Sequence, residues 1–340
     1  MEEIKSPNLR TIADTAGVSI STVSRALKDH PAISEKTKNR IIDIARSLNY
    51  FNGNGAAGNG NRNKTLGIVY DPTITMHDYY FSTVIKNIVT EASLNEFQST
   101  IKGLPNHGDI IVLIDELEEY CGAGIIFVGD IADDILFEAK ERKLNAVIVD
   151  KPSRIITSVF NDNEWGVYLT TSYLINTGCR RIALFHGPES HYFTKAITTG
   201  YRRALSEHGI PFDESLYVDG EYHITNGYEP AKRLIESGVR FDGIVSNDEM
   251  TSGAMKALKE KGLKIPDDVS LFGFDNLIIS NHTDPLLSTV DVSYEYMGRI
   301  AVRKSIENIS IRESLPVQII LPVSLIPRKT VRPLEKYQHI

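Results

Sequence analysis

Apolar positions fall into two regimes along the chain. Over the first fifty residues they recur at helical spacing. Beyond residue 65, short apolar runs alternate with amphipathic stretches. In the first regime a helix is expected over about Leu9 to Thr15, with Ile12 and Ala13 inward and Asn8 able to cap it. Gly17 stops it at a left-handed or tight-turn position. A second helix should run from about Ser19 to Ala26, with Val23 and Leu27 apolar. Ser34 caps a third, about Glu35 to Leu48, in which Ile41, Ile44, Ala45 and Leu48 share a face.

The second regime predicts strands at Leu66–Tyr70, Gly124–Val128, Ala146–Val149, Ile182–Phe185, Gly243–Ser246 and Val269–Phe274. Helices are expected over Asn163–Thr177, Thr194–His208, Thr225–Ser237 and Glu249–Lys261. This βαβ rhythm implies parallel sheets covered by helices, and two such sheets fit the length. The fold class is therefore α/β, with a three-helix N-terminal domain followed by a two-subdomain body. The segment 105–120 is ambiguous and is read as a helix despite Ile110, Ile111 and Val112. Ligands of open α/β sheets sit off the carboxyl ends of the strands. That directs attention to Asp71, Asp150, Phe160, His186, Asn247, Asp248, Asp275 and Asn276.

Between the regimes lies Asn52-Gly-Asn-Gly-Ala-Ala-Gly-Asn-Gly-Asn61, read as a flexible linker. Gly53, Gly55 and Gly58 spell G-x-G-x-x-G, but the strand before and helix after that a dinucleotide site needs are missing.

Charge sharpens the division. Residues 1–64 hold ten basic and six acidic side chains. The remainder holds 27 and 38, so the net charge of −7 is the sum of a basic head and an acidic body. A basic head suits a polyanion partner, although a chance fluctuation of surface charge reads almost as well on these counts alone. The 340 residues suit two or three domains, and 41% hydrophobic with 24% charged residues exclude wholesale disorder. No apolar run reaches membrane-spanning length, and Met1–Lys5 lacks the order of a signal peptide, so a cytoplasmic protein is expected. Cys121 and Cys179 cannot build a disulfide framework or a four-thiolate metal site. Neither a metal nor a cofactor is expected.

The head has helix–turn–helix grammar. One helix ends at Ala16-Gly17, Val18 plugs the turn, and Ser19 caps a second helix that can enter a major groove. Its first turn presents Ile20, able to touch a thymine methyl, and Ser21, able to bond a base edge or a phosphate. Arg25, one turn on, has the fork that matches guanine O6 and N7. Thr22, Ser24, Asn8 and Lys38 are candidate phosphate contacts. A plain three-helix bundle with an exposed arginine is the bland alternative, disfavoured by the ordered spacing of the whole motif.

The stretch Thr11-Ile-Ala-Asp-Thr-Ala-Gly-Val-Ser-Ile-Ser-Thr-Val-Ser-Arg-Ala-Leu27 resembles the DNA-binding domain of LacI/GalR-family regulators. Thr37-Lys-Asn-Arg-Ile41 and Leu48-Asn-Tyr50 continue the likeness. The body is similar to the family's effector domain at Asp162-Asn-Glu-Trp-Gly166, Arg181-Ile-Ala-Leu-Phe-His-Gly-Pro188, Asn247-Asp248, Val269-Ser-Leu-Phe-Gly-Phe-Asp275 and Pro327-Arg-Lys-Thr330. The resemblance implies a homodimeric repressor (tetramers not excluded) that binds double-stranded operator DNA and responds to a small sugar. It implies a helix–turn–helix domain over 1–52, a linker over 53–64, an effector domain over 65–333 and a tail over 334–340. One subdomain would comprise about 65–160 and 291–321, the other about 161–290 and 322–333, with crossings near Phe160, Val290 and Leu321. Tyr50 and Arg62 join the expected DNA contacts. Asp71, Tyr80, Asp150, Phe160, Tyr222, Asn247 and Asp275 match the effector-binding positions. Asp275 and Asn247 would grip hydroxyls, and Tyr222 or Phe160 would stack on the ring. The alternatives are that Asp150 and Asp275 cap helices and that Tyr80 is simply core.

Two departures from the family pattern stand out. The glycines around Asn59 replace a hinge helix that usually carries a leucine wedge for the minor groove. Ile197 stands where the family often has an arginine, so Lys195 or another residue supplies the polarity, or the ligand is less polar. An enzyme is the competing class, since paired carboxylates suit glycoside hydrolysis. H-E-x-x-H, Walker A and G-x-S-x-G are all missing. A sugar-binding protein without DNA function is disfavoured by the head. Docking of a protein co-regulator stays open.

Overall fold

A computed structural model describes residues 9–27, 33–48, 64–71, 79–104, 114–115, 117, 121–220, 224–310 and 315–334. The expected roles of Asn8, Tyr50, Arg62 and Tyr222, and of the Gly/Asn-rich linker, fall outside these residues. So does most of 105–120, of which Ile114, Asp115 and Leu117 are helical. The chain forms two compact units, Met1–Asn63 and Lys64–Ile340.

In the first unit α1 spans Leu9–Ala16, α2 Ile20–Leu27 and α3 Glu35–Ser47. Gly17 turns the chain with a φ of +64°, a conformation that costs other residues a steric penalty, and the Val18 N–H reaches back to Ala13 O at 3.1 Å. Ser19 Oγ then accepts the Thr22 N–H at 3.1 Å, and Ser34 Oγ accepts the Thr37 N–H at 3.3 Å. The apolar stripes meet in one small core of Ile12, Ala13, Ala16, Val23, Ala26, Ile41 and Ala45.

The second unit begins with a six-stranded parallel sheet in the order β11-β5-β4-β3-β1-β2. Its strands are β1 (Thr65–Tyr70), β2 (Gln98–Gly103), β3 (Gly124–Val128), β4 (Ala146–Val149), β5 (Thr157–Asn161) and β11 (Gln318–Leu321). Every described residue of β3, β4 and β5 is buried, as strands covered on both faces require. Helices α4 (Tyr79–Leu94), α5 (Asp133–Glu141) and α10 (Tyr294–Ser310) accompany it. Val84 and Ile88 of α4 and Met297, Ala301 and Val302 of α10 share a core with β1, β3 and β4.

A second parallel sheet, order β7-β6-β8-β9, holds β6 (Ile182–His186), β7 (Tyr217–Asp219), β8 (Gly243–Val245) and β9 (Ser270–Phe272). Helices α6 (Asn163–Asn176), α7 (Tyr192–Glu207), α8 (Ile224–Glu236) and α9 (Asp248–Glu260) cover it. Strands β10 (Thr289–Val292) and β12 (Val323–Ile326) pair antiparallel. The chain leaves the first sheet after Asn161 and again after Leu321, and enters α10 after Val292. Among the described residues, no helix is long and apolar enough to cross a membrane. Both cysteines are buried free thiols, and burial pushes Cys121 up to about 11.

Asp248 opens α9 with no exposed surface. Its Oδ1 accepts from Thr289 Oγ1 at 2.6 Å and its Oδ2 from the Leu277 N–H at 2.7 Å. Burial pushes its pKa from 3.8 up to about 8, against the pull of those hydrogen bonds and of Arg328. The folded state therefore holds a proton that the unfolded state has released between about pH 4 and pH 8. Stability from this site is full below the lower value and is lost as pH rises through the upper one. Melting temperature should fall from pH 6 to pH 9, and fall less in Asp248→Asn. Equal slopes in the two proteins would remove the assignment.

Candidate functional site

The described DNA-facing candidates of the first unit lie around α2. Ser19, Ile20, Ser21 and Arg25 are exposed, Ile20 retaining 48% of its surface. Thr22 and Ser24 are half-buried. Ser19 Oγ lies 2.8 Å from both Ser21 Oγ and Thr22 Oγ1, so the first turn carries a knot of hydroxyls beside the apolar Ile20. Lys38 differs from the picture of a free phosphate contact. It is 7% exposed and its ammonium donates to Glu35 at 2.8 Å. A surface groove on α3 is lined by Lys36, Asn39, Arg40, Asp43, Ile44 and Ser47.

In the second unit the strand orders place a reversal between β1 and β3 of one sheet and between β6 and β8 of the other. Crevices open at such switch points, beyond the carboxyl ends of the strands. At the first reversal stands Asp71, buried, its N–H donating to Val128 O at 3.0 Å. Asp150 follows β4 with a φ of +68°, and its N–H donates to Val159 O. Asp275 follows β9 with a φ of +98°, tied through its N–H to Val290 O. Neither heads a helix, so the capping alternative for these two fails. Asn247 does cap one: its Oδ1 accepts the Met250 N–H at 2.9 Å at the start of α9.

Tyr80 packs in the core and also reaches the carboxylate of Asp150. Its ring packs against the cores of both sheets, edge-on to Tyr294 at 6.0 Å. Its hydroxyl donates to Asp150 Oδ1 at 2.7 Å and accepts from Asn161 Nδ2 at 3.3 Å. Burial raises its pKa well above the usual phenol value, and the charges of Asp150 and Asp275 add to the effect. Phe160, 6% exposed, meets Tyr192 edge-on at 6.3 Å. The Tyr192 N–H, at the start of α7, donates to Asp130 Oδ2 at 3.0 Å and so ties the second sheet's layer to the loop after β3. Burial, then Asp150, Asp162 and Glu164, pushes the Tyr192 phenol up to about 12.

Ile197 is 3% exposed and belongs to the core around β6, whereas Lys195 is exposed. Asp162 is a helix cap, accepting the Trp165 N–H at 3.1 Å. Among the described residues, no group of three or more His, Cys, Asp and Glu could hold a metal ion. The sequence reading missed Asn161, Asp130 and Tyr192. Asp130 lies two residues past an apolar run and was within reach of the rule that found Asp71. Asn161 directly follows Phe160. Tyr192 enters through tertiary packing and carries no local signal.

Residues 8–52 match the family "Bacterial regulatory proteins, lacI family", and residues 171–331 match a periplasmic binding protein-like domain. The probable HTH-type transcriptional repressor ExuR of Bacillus subtilis (strain 168) is 29% identical over 334 residues, covering 96% of this chain and 98% of its own. The HTH-type transcriptional regulator AscG of Escherichia coli (strain K12) is 31% identical over 306 residues, covering 85% and 89%. The lac repressor dimer bound to operator and the anti-inducer ONPF shares the fold, with a TM-score of 0.71 at 22% identity over 96% of this chain and 99% of that one.

Proposed function

Because the chain belongs to the LacI/GalR family of bacterial DNA-binding transcriptional regulators, we propose that it represses carbohydrate-utilisation genes and that a small sugar-type effector switches its operator binding. The observation that carries this reading is the pairing of two features in one chain. One is a helix that holds Ile20, Ser21 and Arg25 outward. The other is a cluster at the carboxyl ends of the first sheet, where open α/β sheets take their ligands, in which Tyr80, Asp150 and Phe160 combine aromatic faces with carboxylate and hydroxyl groups. The expected effector set is Asp71, Tyr80, Asp150, Phe160, Tyr222, Asn247 and Asp275, with the amide of Asn247 bound through its oxygen to α9.

The protein acts as a homodimer in this reading, since two heads serve two half-sites about one helical turn apart. An effector seated between the two sheets favours one orientation of the lobes and thereby resets the spacing of the heads. Its leverage equals its differential affinity for the two states. The site residues serve binding, not chemistry, in keeping with relatives that are transcriptional regulators. A gel-shift titration with a duplex selected from random sequence tests the proposal. The selected duplex should be retained against random competitor, and one of a set of mono- and disaccharides should change the midpoint at least severalfold. A midpoint indifferent to every sugar would sink the switch.

A further inference from the structure

The carboxyl edge of the first sheet is acidic at each of its four inner strands. In the spatial order β5, β4, β3, β1, the chain leaves the sheet through Asp162, Asp150, Asp130 and Asp71. From the second sheet, Asp275 comes close enough to act on the phenols of Tyr80 and Tyr294. The ammonium of Lys151 lies in this row, but it is spent on Asp130 at 3.1 Å, Asp133 at 3.1 Å and Ile131 O at 2.6 Å. The buried Ile197 brings no compensating charge, and Lys195 is exposed.

An independent observation comes from Asn161, which is 1% exposed. Its Nδ2 donates to the Tyr80 hydroxyl, which donates onward to Asp150 Oδ1. The relay runs from the Asn161 amide through the Tyr80 hydroxyl to Asp150 Oδ1. It leaves Asn161 Oδ1, on the other side of the same amide, buried without a donor. A buried acceptor without a donor is costly, and a ligand that brings an O–H or N–H relieves it.

Building on the sugar-sensing reading above, we propose that this crevice selects effectors that donate hydrogen bonds and carry no negative charge, namely neutral sugars and amino sugars, and rejects uronates and sugar phosphates. A hydroxyl or ammonium of the effector donates to Asn161 Oδ1, and a neighbouring one donates to the Asp150 carboxylate. A carboxylate or phosphate offers only acceptors there, and does so beside like charges in partly buried surroundings.

Isothermal titration of the full chain at pH 7.5 and physiological salt tests this with matched probes. These are glucose, glucosamine, glucuronate and glucose 6-phosphate, their galactose counterparts, and cellobiose and maltose. Within any stereochemical set that binds, the neutral or amino member should bind at least tenfold tighter than the anionic one. Neutral and amino arms tell the two accepted classes apart. A uronate or phosphate that binds as tightly as its neutral partner overturns the inference and leaves the sensing reading standing. No heat from any probe overturns both. Asn161→Leu supplies the second readout: the best sugar should weaken at least tenfold while the melting temperature of the free protein holds or rises. Unchanged affinity, or a lowered melting temperature with unchanged affinity, would show that Asn161 only supports the fold.

Discussion

Gly227→Ala is expected to unfold the larger unit at temperatures where the parent chain is stable. Gly227 lies in α8, and a methyl group built on it would sit 1.9 Å from the carbonyl oxygen of Met250 and 2.5 Å from its Cα, both backbone of α9. A flexible side chain could swing away from such a contact, but the backbone of a packed helix cannot. Tyr228 and Glu260 bond across the same pair of helices, and Ala231 and Leu234 share a core with Met250, Ala254 and Leu258. Separating the helices would open that core. Ordinary overpacking costs about 1–3 kcal/mol, and a clash of this depth belongs at or above the upper end of that range. At roughly 2–4 °C per kcal/mol for a domain of this order of size, the melting temperature should fall by about 6 °C or more. Gly209→Ala is the control. Gly209, unlike Gly227, has a positive φ, +69°, but nothing lies within 4 Å of the added methyl, so about 1–2 kcal/mol of backbone strain is all it should lose. If circular dichroism melts show equal losses in the two variants, the close approach of α8 and α9 is not what holds this layer together.

The same helix pair illustrates what the sequence made legible. Helices over 163–176, 192–207, 224–236 and 248–260 were readable within two residues, because apolar periodicity and strand–helix alternation are local properties. Strands β3, β4 and β6 were equally plain, as continuous apolar runs covered on both faces. β5 was not. Its sequence, Thr-Ser-Val-Phe-Asn, has two apolar side chains in five, yet all five residues are buried between β4 and β11, where Ser158 Oγ accepts the Ser153 N–H. β2 escaped for the opposite reason: an edge strand, Gln-Ser-Thr-Ile-Lys-Gly, with no residue buried and a largely polar sequence. At the carboxyl ends of the strands, Asp71, Asp150 and Asp275 could be found by position alone, since each directly follows an apolar run. The bond from Tyr80 to Asp150 joins residues seventy positions apart, and only the packing of α4 on the sheet makes it. Asn247 shows the reverse limit. An asparagine after a strand suits a ligand and suits a cap, and the sequence does not say that its oxygen meets Met250 N–H.

Arg25→Ala should erase most of one position's base preference and little else. Arg25 is exposed near the end of α2, the face of the helix opposite Val23 and Ala26, which fill the core. Trimming it removes no buried surface, so the head should melt where the parent does. A guanidinium that meets guanine O6 and N7 in two parallel hydrogen bonds contributes about 1–3 kcal/mol of discrimination, a fivefold to more than hundredfold ratio between the preferred base and its competitors. A residue that only touches phosphate would behave differently: affinity would drop almost uniformly over all sequences and the salt dependence would become shallower by about one charge. Competition of the variant against a duplex library, at two salt concentrations, separates the cases. The expected pattern is loss of preference at one symmetric pair of operator positions, with the other positions unchanged. Ile20→Ala should act on a neighbouring position and more weakly, because a thymine methyl offers contact area without a hydrogen bond. An Arg25→Ala protein that keeps its full preference and loses only salt-sensitive affinity would move the reading of bases off this residue and onto the hydroxyls of Ser19, Ser21 and Thr22.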